Sequence, residues 1–76
     1  MSFTQIEQLA INVMVAYGQK RLALHGKDAT KRTAFYAVME DRLNVKMVLT
    51  VEMMEEVARQ LGGKYVTKGN SAKIVY

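Results

Sequence analysis

Apolar positions recur at helical spacing over residues 2–25, again over 28–43 and 51–61, and alternate with polar ones over 64–76. This pattern predicts three helices followed by a C-terminal β-hairpin, an α+β arrangement. The first helix organises the rest, because it is the longest uninterrupted pattern and carries two apolar stripes. At about 100° per residue, Ile6, Leu9, Ala10, Val13, Ala16, Tyr17 and Leu24 share one broad arc with Met14 at its margin, the width of a core-facing surface. On the far side Ile11, Val15, Gly18 and Leu22 form a second stripe bordered by Gln5, Gln8, Asn12 and Gln19. A second stripe requires a second partner. Either another element of the chain covers it, or a second copy does, with Gly18 allowing close backbone approach and the four residues forming a homodimer interface.

Local signals place the helix ends. Ser2 and Gln5 fit a capping box, with Met1 and Ile6 as a hydrophobic staple. Gly26 fits a C-terminal cap behind Lys20, Arg21 and His25, whose charge suits the carbonyl end of the dipole. The second helix is expected from an N-cap at Asp28, Thr30 or Thr33, with Ala29, Phe35, Tyr36, Met39 and Leu43 on its inner face and Asn44 as a left-handed terminator. Val45 to Leu49 alternates, giving a short strand or an extended connection. Thr50 caps the third helix, with Leu49 and Met54 at staple positions, and Val51, Met53, Met54, Val57, Ala58 and Leu61 facing inward. After Gly62, a two-residue turn at Gly69 and Asn70 sets Tyr65 opposite Ile74 and Thr67 opposite Ala72. Tyr65, Ala72, Ile74 and Tyr76 then face inward, and Lys64, Lys68 and Lys73 outward with Val66, Ser71 and Val75.

A hairpin directly after a third helix resembles the order of winged-helix domains, in which the hairpin is the wing. In that arrangement the lone strand lies between the first and second helices; the alternation at Val45 to Leu49 puts it between the second and third, which makes this a winged-helix-like variant.

Composition adds bounds. With 50% apolar and 24% charged residues the whole chain is expected to fold as a single small domain. There is no cysteine, so disulfides and thiolate metal sites are excluded. The polar residues of the first helix and the absence of a basic leader argue against a signal peptide or membrane span, and a cytoplasmic location is expected.

Charge changes the picture more. Lys20, Arg21, Lys27, Lys31 and Arg32 cluster with only Asp28 against them, and Arg59, Lys64, Lys68 and Lys73 run to the C-terminus without an acid. Between these blocks Glu40, Asp41, Glu52, Glu55 and Glu56 face only Arg42 and Lys46. A net charge of +4 segregated in this way is the footprint of a polyanion. The expected partner is nucleic acid, contacted by Lys64, Lys68 and Lys73 of the hairpin and by Lys27, Lys31 and Arg32 before the second helix. The third helix is a poor groove reader, since Glu52, Glu55 and Glu56 would meet a wall of phosphates; Glu55 is instead expected to pair with Arg59 at i, i+4. The same acids, six methionines and the spare stripe support an alternative, an inhibitor or adaptor that occupies a partner protein.

Catalysis finds no footing. His25 is the only histidine, no serine or threonine has a histidine at motif spacing, and Glu52 with Glu56 is too sparse an oxygen set for a hard cation. Gly62, Gly63 and Lys64 follow a helix and open a strand, the reverse of a phosphate loop. A non-enzymatic protein without cofactor or metal is expected.

Overall fold

The computed structural model of the chain describes residues 3–26, 30–44 and 48–76. Its elements are α1 (Gln5–His25), β1 (Thr30–Lys31), α2 (Arg32–Leu43), α3 (Val51–Leu61), β2 (Lys64–Lys68) and β3 (Ser71–Val75). The strands form an antiparallel sheet in the order β1-β3-β2. The α+β expectation of three helices and a C-terminal hairpin is met. The lone strand, however, lies between α1 and α2. Of the strand expected further on, Val45, Lys46 and Met47 lie outside the described residues, and Val48 and Leu49 belong to no strand. The element order is therefore the winged-helix order itself.

Thr30 explains the relocation. It is β-branched, 2% exposed, paired with Ile74 across the sheet, and its hydroxyl lies 3.3 Å from the Tyr76 hydroxyl. A threonine so placed contributes to the sheet rather than capping a helix. α2 starts after it at Arg32, with Lys31 as an N-cap whose side chain makes no capping bond. Asp28, the first expected cap, and Ala29 lie outside the described residues.

The start of α1 is also displaced. Thr4 is the N-cap: its hydroxyl accepts from the Glu7 N–H at 3.2 Å, and the Glu7 carboxylate accepts from the Thr4 N–H at 2.9 Å. Thr4 and Glu7 satisfy the same spacing as Ser2 and Gln5, and a carboxylate in the first turn adds attraction to the positive end of the dipole. The other termini follow expectation. Gly26 closes α1, Asn44 closes α2 in the left-handed conformation at φ 52°, Thr50 caps α3 and Gly62 ends it at φ 77°. The hairpin has the expected register, and the positive φ of Gly69, 59°, without one at Asn70 marks a type II′ turn.

The buried face of α1 is rotated towards the second stripe: of the arc expected to face the core, only Ala10, Met14 and the half-buried Tyr17 do so, joined by Ile11, Val15 and Gly18. Ala10, Ile11, Met14, Val15 and Gly18 are buried, whereas Ile6 is 40%, Leu9 47% and Leu24 68% exposed. The buried stripe meets Phe35 and Met39 of α2, Met53, Met54, Val57 and Ala58 of α3, Leu49, and Ile74 of β3 in one core. Tyr17 packs edge-on against Phe35 with ring centroids 5.8 Å apart. A Cβ at Gly18 would lie inside the Leu61 side chain, so its close approach is to α3. Gly63 serves the other end of α3, where a Cβ would come 2.9 Å from the Val75 carbonyl oxygen and 2.8 Å from Ile74. On α3 itself Val51, expected inward, is 54% exposed.

A polar knot fixes the approach to α3. The Arg32 guanidinium donates to the Leu49 carbonyl at 2.9 Å and to the Tyr36 hydroxyl at 3.0 Å, and the same hydroxyl accepts from the Leu49 N–H at 2.9 Å. The guanidinium carbon also lies 5.2 Å from the Tyr36 ring centre. Because Leu49 is only 1% exposed, Tyr36→Phe leaves its N–H without a partner in a dry setting. A loss of about 1–3 kcal/mol is expected. Thermal unfolding checks it, at about 4–8 °C per kcal/mol for a domain of this size.

Candidate nucleic-acid interface

The sheet carries the basic side chains on one face. Successive residues of a strand point to opposite sides, and residues paired across an antiparallel ladder point to the same side. Thr30, Tyr65, Thr67, Ala72 and Ile74 therefore face the helices, and the complementary set faces away. Lys31 pairs with Lys73 and Lys73 with Val66, so one row crosses all three strands as Lys31, Lys73 and Val66. Lys64 pairs with Val75 on one side of that row, and Lys68 with Ser71 on the other. All seven are exposed.

This places Lys31 where the sequence alone did not. The sequence puts it in a basic loop separate from the hairpin; as the last residue of β1 it joins the hairpin lysines on a single surface. From Lys64 to Lys68 the surface runs about 13 Å along β2, and its three strands span about 10 Å. No acidic residue occurs in any of the three strands, and none of the four lysines forms an ion pair among the described residues. Lys31 and Lys73 stand directly opposite each other, and like charges in that relation oppose pairing. An anion between them would remove the repulsion.

Two other candidates are placed differently. Arg32 begins α2 and its guanidinium is committed to Tyr36 and Leu49, so it organises the fold beside the basic face instead of belonging to it. Lys27 lies outside the described residues. The homodimer candidates Ile11, Val15 and Gly18 are in the core, and Leu22 is half-buried beside them. Of the two partners weighed for that stripe, the structure shows the same chain's α3.

α3 borders the basic face without sharing its charge. A recess of about 250 Å³ between α3 and β2 is lined by Glu55, Ala58, Arg59, Gly63, Lys64 and Tyr65. Arg59 pairs with Glu56 at i, i+3, in place of the expected Glu55; its Nε donates to one carboxylate oxygen at 3.0 Å and a terminal nitrogen to the other. Hydrogen bonds from Arg59 and then Gln60 hold the Glu56 carboxyl at about 2, far below the usual carboxylate range, and the same pairing raises Arg59. Glu52 and Glu55 remain on the exposed side, so the acidic objection to docking this helix in a major groove stands.

Among the described residues no three His, Asp or Glu side chains are grouped so as to hold a metal ion, and no helix is long and apolar enough to cross a membrane. No protein-family model, no curated protein and no solved structure matches this chain.

Proposed function

We propose that this chain is a small non-enzymatic regulator that binds duplex nucleic acid, DNA first, through the outer face of its sheet. The observation that carries the reading is the convergence of Lys31, Lys64, Lys68 and Lys73 on one acid-free face, two of them directly opposed. A lysine is a point charge on a flexible stem, suited to phosphate oxygens and poor at distinguishing bases. The face offers no ring on which an unpaired base could stack; Tyr65 and Tyr76 are on the helix side. Duplex backbone is the target that such a surface fits. The winged-helix order supports the same reading, with the weight of contact moved from α3 to the sheet because of Glu52 and Glu55.

The test is fluorescence anisotropy with a labelled duplex DNA of about 20 base pairs and a single-stranded RNA of equal length, at about 50 and 200 mM salt. If four phosphates are neutralised, duplex affinity falls about 100-fold over that range. Stronger binding to the single strand would assign the face a different target. Flat titrations on both would remove the reading.

A further inference from the structure

The rotation of α1 towards its second stripe leaves part of the first arc uncovered, with Ile6, Leu9 and Leu24 exposed. This exposed stripe and the adjoining side of α2 enclose an open trough of about 740 Å³, with Leu9, Val13, Ala16, Tyr17 and Leu24 of α1 and Val38 of α2 along it. None of these residues belongs to the basic sheet face. From Leu9 to Leu24 the trough runs about 22 Å, or four helical turns. We propose that this trough seats an acidic amphipathic helix of a partner protein, independently of any nucleic acid bound at the sheet.

Shape and charge together select that occupant. Both walls are helices, so no strand edge is available to an extended peptide, and an apolar trough between two helices fits helix-in-groove docking. The apolar residues recur every three or four positions over several turns, the spacing that a partner helix presents with anchors at i, i+3, i+4 and i+7. The trough is part-enclosed, which leaves one side of a seated helix in water. Lys20 sits in the middle of the α1 stripe, Arg42 is on the α2 side and His25 is at one end, with Asp41 the single acid among the described lining residues. Such a rim favours carboxylates on the incoming helix.

The same charges disfavour a second copy of this chain. Two apposed troughs would bring together the Lys20 and Arg42 of both copies against one lining acid, Asp41, from each. The nearest acid of α1, Glu7, is engaged with the Thr4 N–H in the capping box. A self-pairing would therefore bury an excess of cations, with one Asp41 carboxylate per copy against Lys20 and Arg42.

The experiment is selection from a display library of helix-forming peptides about 16 residues long, run in parallel on the wild type, on Leu9→Glu and on Lys20→Glu with Arg42→Glu. Leu9 is exposed, so Leu9→Glu keeps the fold, which circular dichroism verifies. The wild type is expected to enrich peptides with apolar anchors at helical spacing flanked by Glu and Asp. Leu9→Glu is expected to lower that enrichment about 30-fold, the effect of losing one anchor. The doubly reversed variant is expected to select Lys- and Arg-flanked peptides instead. Enrichment indifferent to Leu9→Glu, or unchanged in sign of charge by the reversal, overturns the proposal. Two further results would also overturn it. One is a wild type that sediments as a dimer, and as a monomer only with Leu9→Glu, which assigns the trough to a second copy. The other is equal competition by a simple anionic amphiphile such as decanoate, which assigns it to a small ligand.

Discussion

Val15→Glu abolishes the cooperative fold of this chain, whereas Leu9→Glu, on the same helix and equally apolar in sequence, leaves it folded. Val15 is 8% exposed and shares a core with Met14, Val57 and Ala58; Leu9 is 47% exposed on the rim of the trough. A carboxylate at position 15 forfeits about 1.5–3 kcal/mol of apolar burial. It must then be ionised without a partner or take up a proton at a further cost, so the total loss exceeds about 4 kcal/mol. A domain of this length holds only about 4–11 kcal/mol in all. The far-ultraviolet circular dichroism and the urea midpoint of the two variants give the comparison directly. A folded, monomeric Val15→Glu protein beside an associating wild type would instead return Ile11, Val15, Gly18 and Leu22 to the role of an interface.

Why periodicity alone does not separate that pair of outcomes is a matter of symmetry on α1. Both of its stripes are apolar, and helical periodicity locates stripes without ranking them. Two details did rank them. Lys20 lies near the middle of the Leu9, Val13, Ala16 and Leu24 stripe, whereas the Ile11, Val15, Gly18 and Leu22 stripe has no charge at its centre. Gly18 also marks the side on which a neighbouring element comes close, and that neighbour is Leu61 of α3. Where only one face is apolar, as on α3, the inward set Met53, Met54, Val57 and Ala58 was legible, with Val51 at the first turn the residue that periodicity misplaced. The hairpin was legible for a related reason, since Gly69 with Asn70 fixes the turn and the turn fixes every cross-strand pair.

β1 was illegible because its existence depends on residues more than forty positions away. Two residues, Thr30 and Lys31, have no periodicity to detect, and only the presence of Ile74 and Lys73 across the ladder makes them a strand. The candidate site inherits that limit. Lys64, Lys68 and Lys73 could be placed on one face from alternation alone, but the membership of Lys31 required the tertiary pairing, and the withdrawal of Arg32 required the Tyr36 and Leu49 contacts.

Replacing Lys31, Lys64, Lys68 and Lys73 together by Gln removes almost all of the salt dependence of duplex binding. Each neutralised phosphate contributes about 0.9 to the slope of log affinity against log salt, so the wild-type slope of about −3.6 collapses towards zero and affinity at low salt falls by orders of magnitude. Net charge also falls from +4 to 0, which by itself weakens any polyanion interaction. Lys20→Gln with Arg42→Gln, both outside the sheet, therefore serves as the control and should keep most of the slope. Arg32→Ala is a second control of the opposite kind: it lowers thermal stability through the Leu49 carbonyl and leaves the slope alone. The single variants Lys31→Gln and Lys73→Gln carry the sharpest distinction. If these lysines only keep the surface soluble, each substitution relieves a cross-strand repulsion and has no other effect. If they hold phosphate, each raises the melting temperature of the free protein, by the equivalent of about 0.2–1 kcal/mol, while reducing the slope by about one phosphate. Residues that weaken the fold and strengthen the complex are retained for the complex, and a joint measurement of melting temperature and salt slope on the same two proteins decides which kind these are.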